Sequence, residues 1–185
     1  GFVGGGAVWV LRMNNDGTVK GATHIASGEF GGPTLATGDS FGESVSGIGD
    51  LDGDGVPDLA VGAFGDDGVG GDNRGAVYIL TLNPDGSAKS STKIADGLNG
   101  GPTLGDGDWF GTGVANLGDL NGDGVTDLAV GAQNSSLGAP YRGAVYILLL
   151  APDGTVSSST AIGSGIGGGP TLGVYGRFGR SVANA

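Results

Sequence analysis

Asp50-Leu-Asp52-Gly-Asp54-Gly-Val56-Pro-Asp58 and Asp119-Leu-Asn121-Gly-Asp123-Gly-Val125-Thr-Asp127 are one loop written twice, 69 residues apart. Numbered 1 to 9, the first loop carries carboxylates at positions 1, 3, 5 and 9, and the second replaces position 3 with asparagine. Spacing by two along a tight loop turns alternate side chains into one cavity. Gly55 and Gly124 at position 6 allow the sharp bend. Val56 and Val125 at position 7 have only a carbonyl to offer. The donors are all hard oxygens, a set that suits Ca²⁺ better than Mg²⁺ or the softer transition metals. The candidate donors are Asp50, Asp52, Asp54, Val56 and Asp58, then Asp119, Asn121, Asp123, Val125 and Asp127, one Ca²⁺ for each set. An EF-hand would need flanking helices and an acid at position 12, where Val61 and Val130 stand.

The loops belong to a longer repeat. Gly-Gly-Pro-Thr-Leu ends at Leu35, Leu104 and Leu172; Phe-Gly falls at Phe41, Phe110 and Phe178. Gly-Ala-Val-aromatic begins at Gly6, Gly75 and Gly143, and Asp-Gly turns sit at Asp16, Asp85 and Asp153. These features keep one order at spacings of 69 and then 68 residues. Between them lie short runs rich in β-branched and aromatic residues, bounded by Gly, Asp and Asn, and no window shows a helical apolar stripe. Each full repeat therefore reads as four antiparallel strands, at about 41–49, 58–64, 75–82 and 87–95, then 110–118, 127–133, 143–150 and 155–162. The fold class is all-β, with propeller-type blades of four strands. About two and a half repeats are present, an incomplete ring. The domain reading is a partial blade over residues 1–30, repeats over 31–99 and 100–167, and a linker with a lone strand over 168–185.

Bulk composition narrows the function. The chain has 185 residues, 44 of them glycine, far above the usual share of about 7%. Periodic placement turns that excess from a sign of disorder into the punctuation of a blade. Nineteen acids against eight Lys and Arg give a net charge of −11. Such a chain repels nucleic acid and anionic lipid and attracts cations. Two Ca²⁺ would bring −11 to −7. No cysteine is present, which removes disulfides and thiolate chemistry. The longest apolar run, Ala144–Ala151, is too short to span a bilayer.

Taken together, the Phe-Gly pairs, the D-x-D/N-x-D-G-x-x-D loops and the Leu-Ala-Val-Gly-Ala that follows them at Leu59–Ala63 and Leu128–Ala132 resemble the FG-GAP repeat, best known from integrin alpha-chain propellers. The proline that follows Gly-Ala in that family is Phe64 in one copy and Gln133 in the other. The resemblance implies structural Ca²⁺ held between the first two strands of a blade, at the ligands named above. It also implies an extracellular or cell-surface place and protein-protein contact.

No catalytic constellation emerges, so the chain is read as non-enzymatic. His24 is the sole histidine, and its register equivalents are Lys93 and Ala161. The first function reading is a scaffold that assembles head-to-tail, a strand near residues 178–182 completing the next copy's first strand pair. The alternative is an adhesion or recognition module, a fragment of a larger propeller, binding a carbohydrate or cell-surface partner, with Trp109 as the candidate ligand contact.

Overall fold

The computed structural model describes residues 4–138 and 140–184. Ten strands run in chain order: β1 Ala7–Met13, β2 Val19–Ala26, β3 Phe41–Gly49, β4 Asp58–Ala63, β5 Ala76–Leu82, β6 Ala88–Ile94, β7 Phe110–Gly118, β8 Asp127–Ala132, β9 Ala144–Leu150 and β10 Val156–Ile162. The repeat phase places every boundary of the two full repeats within one residue of the sequence reading. Residues 178–182 differ: Phe178 makes a single bridge to Gly143, and no named strand follows it.

The strands form three open antiparallel sheets, β1-β2, β3-β4-β5-β6 and β7-β8-β9-β10, each in sequence order. Hairpin connections produce that order directly, since neighbours in sequence pair without a crossover. Within each four-stranded sheet the third strand is the most apolar. Ala76–Leu82 is buried along its whole length, because another sheet covers each of its faces. The fourth strand, Ala88–Ile94 or Val156–Ile162, turns Ser, Thr and Lys to solvent along an edge.

Alternation along β5 sorts its side chains between two cores. Tyr78, Leu80 and Leu82 pack with Val8 and Ile25 of the first sheet. Val77 and Ile79 pack with Tyr146, Leu148 and Leu150 of the third. Each fully buried Val, Leu or Ile contributes about 1.5–3 kcal/mol, so the two inter-sheet cores hold the array together. Phe41 and Phe110 sit at its inner side. Their rings meet Tyr78 and Tyr146 edge-on, at centroid distances of 5.5 and 5.7 Å.

The inner strands approach more closely than side chains permit. A Cβ on Gly62 would strike the Gly111 carbonyl, and one on Gly131 would strike that of Gly179. The same glycine of Leu-Ala-Val-Gly-Ala thus admits the Phe-Gly of the following repeat. Parallel bridges Gly6–Phe41, Gly75–Phe110 and Gly143–Phe178 complete each joint. This stacking places both β3–β4 and β7–β8 hairpin loops at one end of the array. The β4–β5 and β8–β9 connections lie at the opposite end.

Candidate metal centre

Both acidic loops are built around their first aspartate. Asp50 Oδ1 accepts the amides of Gly53 at 2.8 Å and Asp54 at 3.0 Å, and Oδ2 accepts that of Gly55 at 2.8 Å. Asp119 accepts Gly122, Asp123 and Gly124 in the same way. The position-5 aspartates fold back in turn, Asp54 on the Val56 amide and Asp123 on the Val125 amide. Gly55 and Gly124 hold φ near +88° and +87°, which glycine adopts without strain.

The last aspartate fastens each loop to the sheet. Asp58 and Asp127 are fully buried. Asp58 accepts the Leu51 amide at 2.8 Å and the Leu82 amide at 2.9 Å, the latter from the third strand. Asp127 accepts Leu120 at 2.8 Å and Leu150 at 3.0 Å. Burial pushes the Asp58 carboxyl above the ordinary range, and those two amides pull against it. A nearby cation would favour its charged form further.

The structure brings Asp50, Asp52 and Asp58 together, each offering an oxygen within 4.8 Å of the others. Three converging hard oxygens fit a divalent cation such as Ca²⁺. Asp54 stands apart from that set. Its carboxylate and that of Asp52 share the ammonium of Lys89, at 2.8 and 2.9 Å. Lys89 holds the Asp54 carboxyl below its ordinary value and is itself shifted upward by both aspartates.

The second loop has no such lysine, since Ser157 fills that register position. There Asn121 replaces Asp52, and its amide donates to Asp123 Oδ2 at 2.8 Å. Four carboxylates and one lysine leave −3 in the first loop; three carboxylates leave −3 in the second. Residue spacing alone did not single out Lys89. Its signal is the paired exchange of Asp52 with Lys89 for Asn121 with Ser157. A groove of about 240 Å³ separates the loops, lined by Ile48, Asp50 and Leu51 on one side and by Asp119, Val125 and Thr126 on the other.

Trp109 lies at the far end of the array from these loops. Its ring packs against Phe64 with centroids 5.2 Å apart. His24 faces Glu29 at 3.2 Å and Trp9 at 4.7 Å. Another polar cluster escaped the sequence reading. Buried Asp66 accepts from the Tyr78 hydroxyl at 2.8 Å and pairs with Lys93 at 2.6 Å. Burial, ahead of the neighbouring Asp66 charge, pushes the Tyr78 hydroxyl far up, so it remains a donor. The corresponding residues of the next repeat, Ser135, Tyr146 and Ala161, carry no charge pair.

The model of the FG-GAP repeat matches residues 41–80 and 110–148. Among curated proteins, integrin alpha-PS2 of Drosophila melanogaster is 38% identical over 167 residues, covering 86% of this chain and 11% of that protein. Integrin alpha pat-2 of Caenorhabditis elegans is 34% identical over 141 residues, 73% of this chain and 10% of its own length. Integrin alpha-5 of Xenopus laevis is 38% identical over 104 residues, 56% of the chain and 9% of its own length. The chain thus spans about a tenth of the length of the curated relatives it matches.

Proposed function

This chain belongs to the FG-GAP repeat family, and on that premise we propose that it is a non-enzymatic, extracellular scaffold for protein contacts whose two acidic loops each hold one structural Ca²⁺. The convergence of Asp50, Asp52 and Asp58 carries the calcium reading. The in-register hydrogen bonding of Asp119 and Asp127 supports a second site. Asp54 and Asp123 would turn to the ion from position 5, Asn121 would supply its carbonyl, and Val56 and Val125 their backbone oxygens. The bound ion would neutralise carboxylates that otherwise repel one another. Its chemistry here is structural, fixing the loops that join the inner strands.

The contact surfaces supporting the scaffold reading are apolar sheet faces. Trp9, Leu11 and Met13 on β1 are 62%, 51% and 53% exposed, while their register equivalents Tyr78, Leu80 and Leu82 are buried under the preceding sheet. A face of that pattern accepts another sheet of the same kind, and head-to-tail assembly of copies is the occupant we propose. Light scattering in calcium buffer tests it: large, concentration-dependent particles are expected, and removal of residues 174–185 should abolish them. Full assembly by the truncated chain, or a monomer at every concentration, would overturn the self-assembly reading. Calcium is tested separately. EDTA should lower the melting temperature, with a shift that grows with free Ca²⁺ before chelation.

A further inference from the structure

At the end of the array opposite the acidic loops, the two repeats resolve one arginine in different ways. Arg74 precedes β5 and Arg142 precedes β9, in register. Arg74 is neutralised within the chain, its Nη1 bonded to Asp96 and its Nε to Asp106, the latter at 2.7 Å. Asp96 also accepts the Leu104 amide at 2.9 Å. In the next repeat Ser164 accepts the Leu172 amide at 3.1 Å, which fixes Ser164 as the counterpart of Asp96. The counterpart of Asp106 is Val174. Both carboxylates are therefore gone, and the arginine remains.

Among the described residues, the Arg142 guanidinium makes one hydrogen bond, Nη1 to Ser164 Oγ at 3.0 Å, and no ion pair. Its Nε is buried without a partner among the described residues, as is Oε1 of Gln133, itself 8% exposed. Buried donors of this kind normally find an acceptor. Among the described residues Arg12, Lys20, Arg177 and Arg180 also form no ion pair, but they are exposed, whereas Arg142 is half-buried with its Nε enclosed.

The surroundings change with it. Tyr141 and Tyr175 stand where the first repeat has Asn73 and Gly107. Their rings stack at 5.8 Å and 16°, and they are 54% and 71% exposed beside Val174 at 62%. The first repeat shows that a following sheet does not cover this corner. With the next repeat in place, the Asp106 side chain remains 62% exposed.

We propose that Arg142, Ser164 and the Tyr141–Tyr175 stack form a recognition site for an aspartate or glutamate side chain presented by a partner polypeptide, flanked there by apolar or aromatic residues. The guanidinium would take from the partner the carboxylate that Asp96 and Asp106 supply to Arg74. The planar fork favours a two-bond grip on a carboxylate, and the tyrosines supply a rigid apolar platform. This site deepens the protein-contact reading and does not involve calcium; it shares Val174 and Tyr175 with the segment assigned to head-to-tail assembly, and the peptide titration below reads the site directly.

The test is a titration of the whole chain, in calcium buffer, with Ac-Phe-Asp-Phe-NH2 and with its Asn counterpart, followed by amide chemical shifts. The Asp peptide should bind at least tenfold more tightly, with shifts centred on Tyr141, Arg142 and Tyr175. Ser164→Asp places a carboxylate in the chain for Arg142, as in the first repeat. It should weaken the Asp peptide at least tenfold while leaving the fold intact. Tyr175→Ala should weaken both peptides and preserve the preference for Asp. No saturable binding of either peptide, equal affinity for both, or undiminished binding by Ser164→Asp would overturn the site. Tighter binding of D-glucuronate than of the Asp peptide would overturn the polypeptide as occupant.

Discussion

The loops 50–58 and 119–127 occupy the same place in successive sheets and, with Lys89 counted beside the first, carry the same net charge, yet they balance it differently. The first spends a lysine from β6 on a fourth carboxylate, while the second substitutes an amide and needs no lysine. In the first, Asp52 and Asp54 must release Lys89 before both can face an ion. In the second, the amide on Asp123 is the weaker competitor. The pair teaches that a repeated motif conserves its balance of charge as a unit, so that one residue of the loop is legible only with its partner on another strand.

The largest effect should come from what the loops share. Asp58→Ala and Asp127→Ala each strand one buried amide, that of Leu82 or Leu150, at about 1–3 kcal/mol, and release a part-buried one, that of Leu51 or Leu120. Both should lower the melting temperature by similar amounts, calcium present or not. A drop in one loop alone would break the equivalence of the two anchors. Next comes Asn121→Asp, which gives the second loop four carboxylates without a lysine. It should destabilise the calcium-free chain, recover on calcium addition and tighten binding at that loop. Smaller is Lys89→Met, expected to strengthen calcium at the first loop several-fold and to deepen the loss of stability in EDTA. Unchanged affinity would remove the lysine from the comparison.

The smallest effect is a pH dependence carried by the Lys89–Asp54 pair of the first loop. Lys89, then the Val56 amide, holds the folded Asp54 carboxyl below its ordinary 3.8. A depressed carboxylate stabilises the fold above 3.8 and loses that contribution as pH falls through the folded value. In EDTA, the stability difference between wild type and Lys89→Met should therefore shrink on acidification below 3.8. A difference that stays constant across this range would show that Lys89 acts through packing instead.

Much of the fold was legible because the repeat reports it three times. Gly-Ala-Val-aromatic, Asp-Gly and Phe-Gly mark strand starts and turns, and the structure places the full-repeat strands within a residue of them. Residues 178–182 carry the same strand sequence but only one bridge, since a ladder requires a paired neighbour and composition cannot supply one. The turn of each loop was legible for the same reason as the strands: alternation and glycine placement are local. What stayed hidden was chemistry that crosses strands. Lys89 reaches the loop from β6, Lys93 reaches Asp66 from the same strand, and Arg74 meets Asp96 and Asp106 far along the chain. Asp54 illustrates the point from within the motif. Its position in the spacing marks it as a candidate ligand, and the spacing gives no sign of the Lys89 ammonium that its carboxylate bonds.

Calcium titration of the chelator-stripped chain by calorimetry tests the two-site reading most directly. Two ions per chain are expected, with dissociation constants of roughly 10⁻⁴ to 10⁻³ M, as for extracellular sites. Asp50→Asn and Asp119→Asn should each reduce the count to one. No binding heat at millimolar calcium, or a stoichiometry that neither substitution changes, would contradict it.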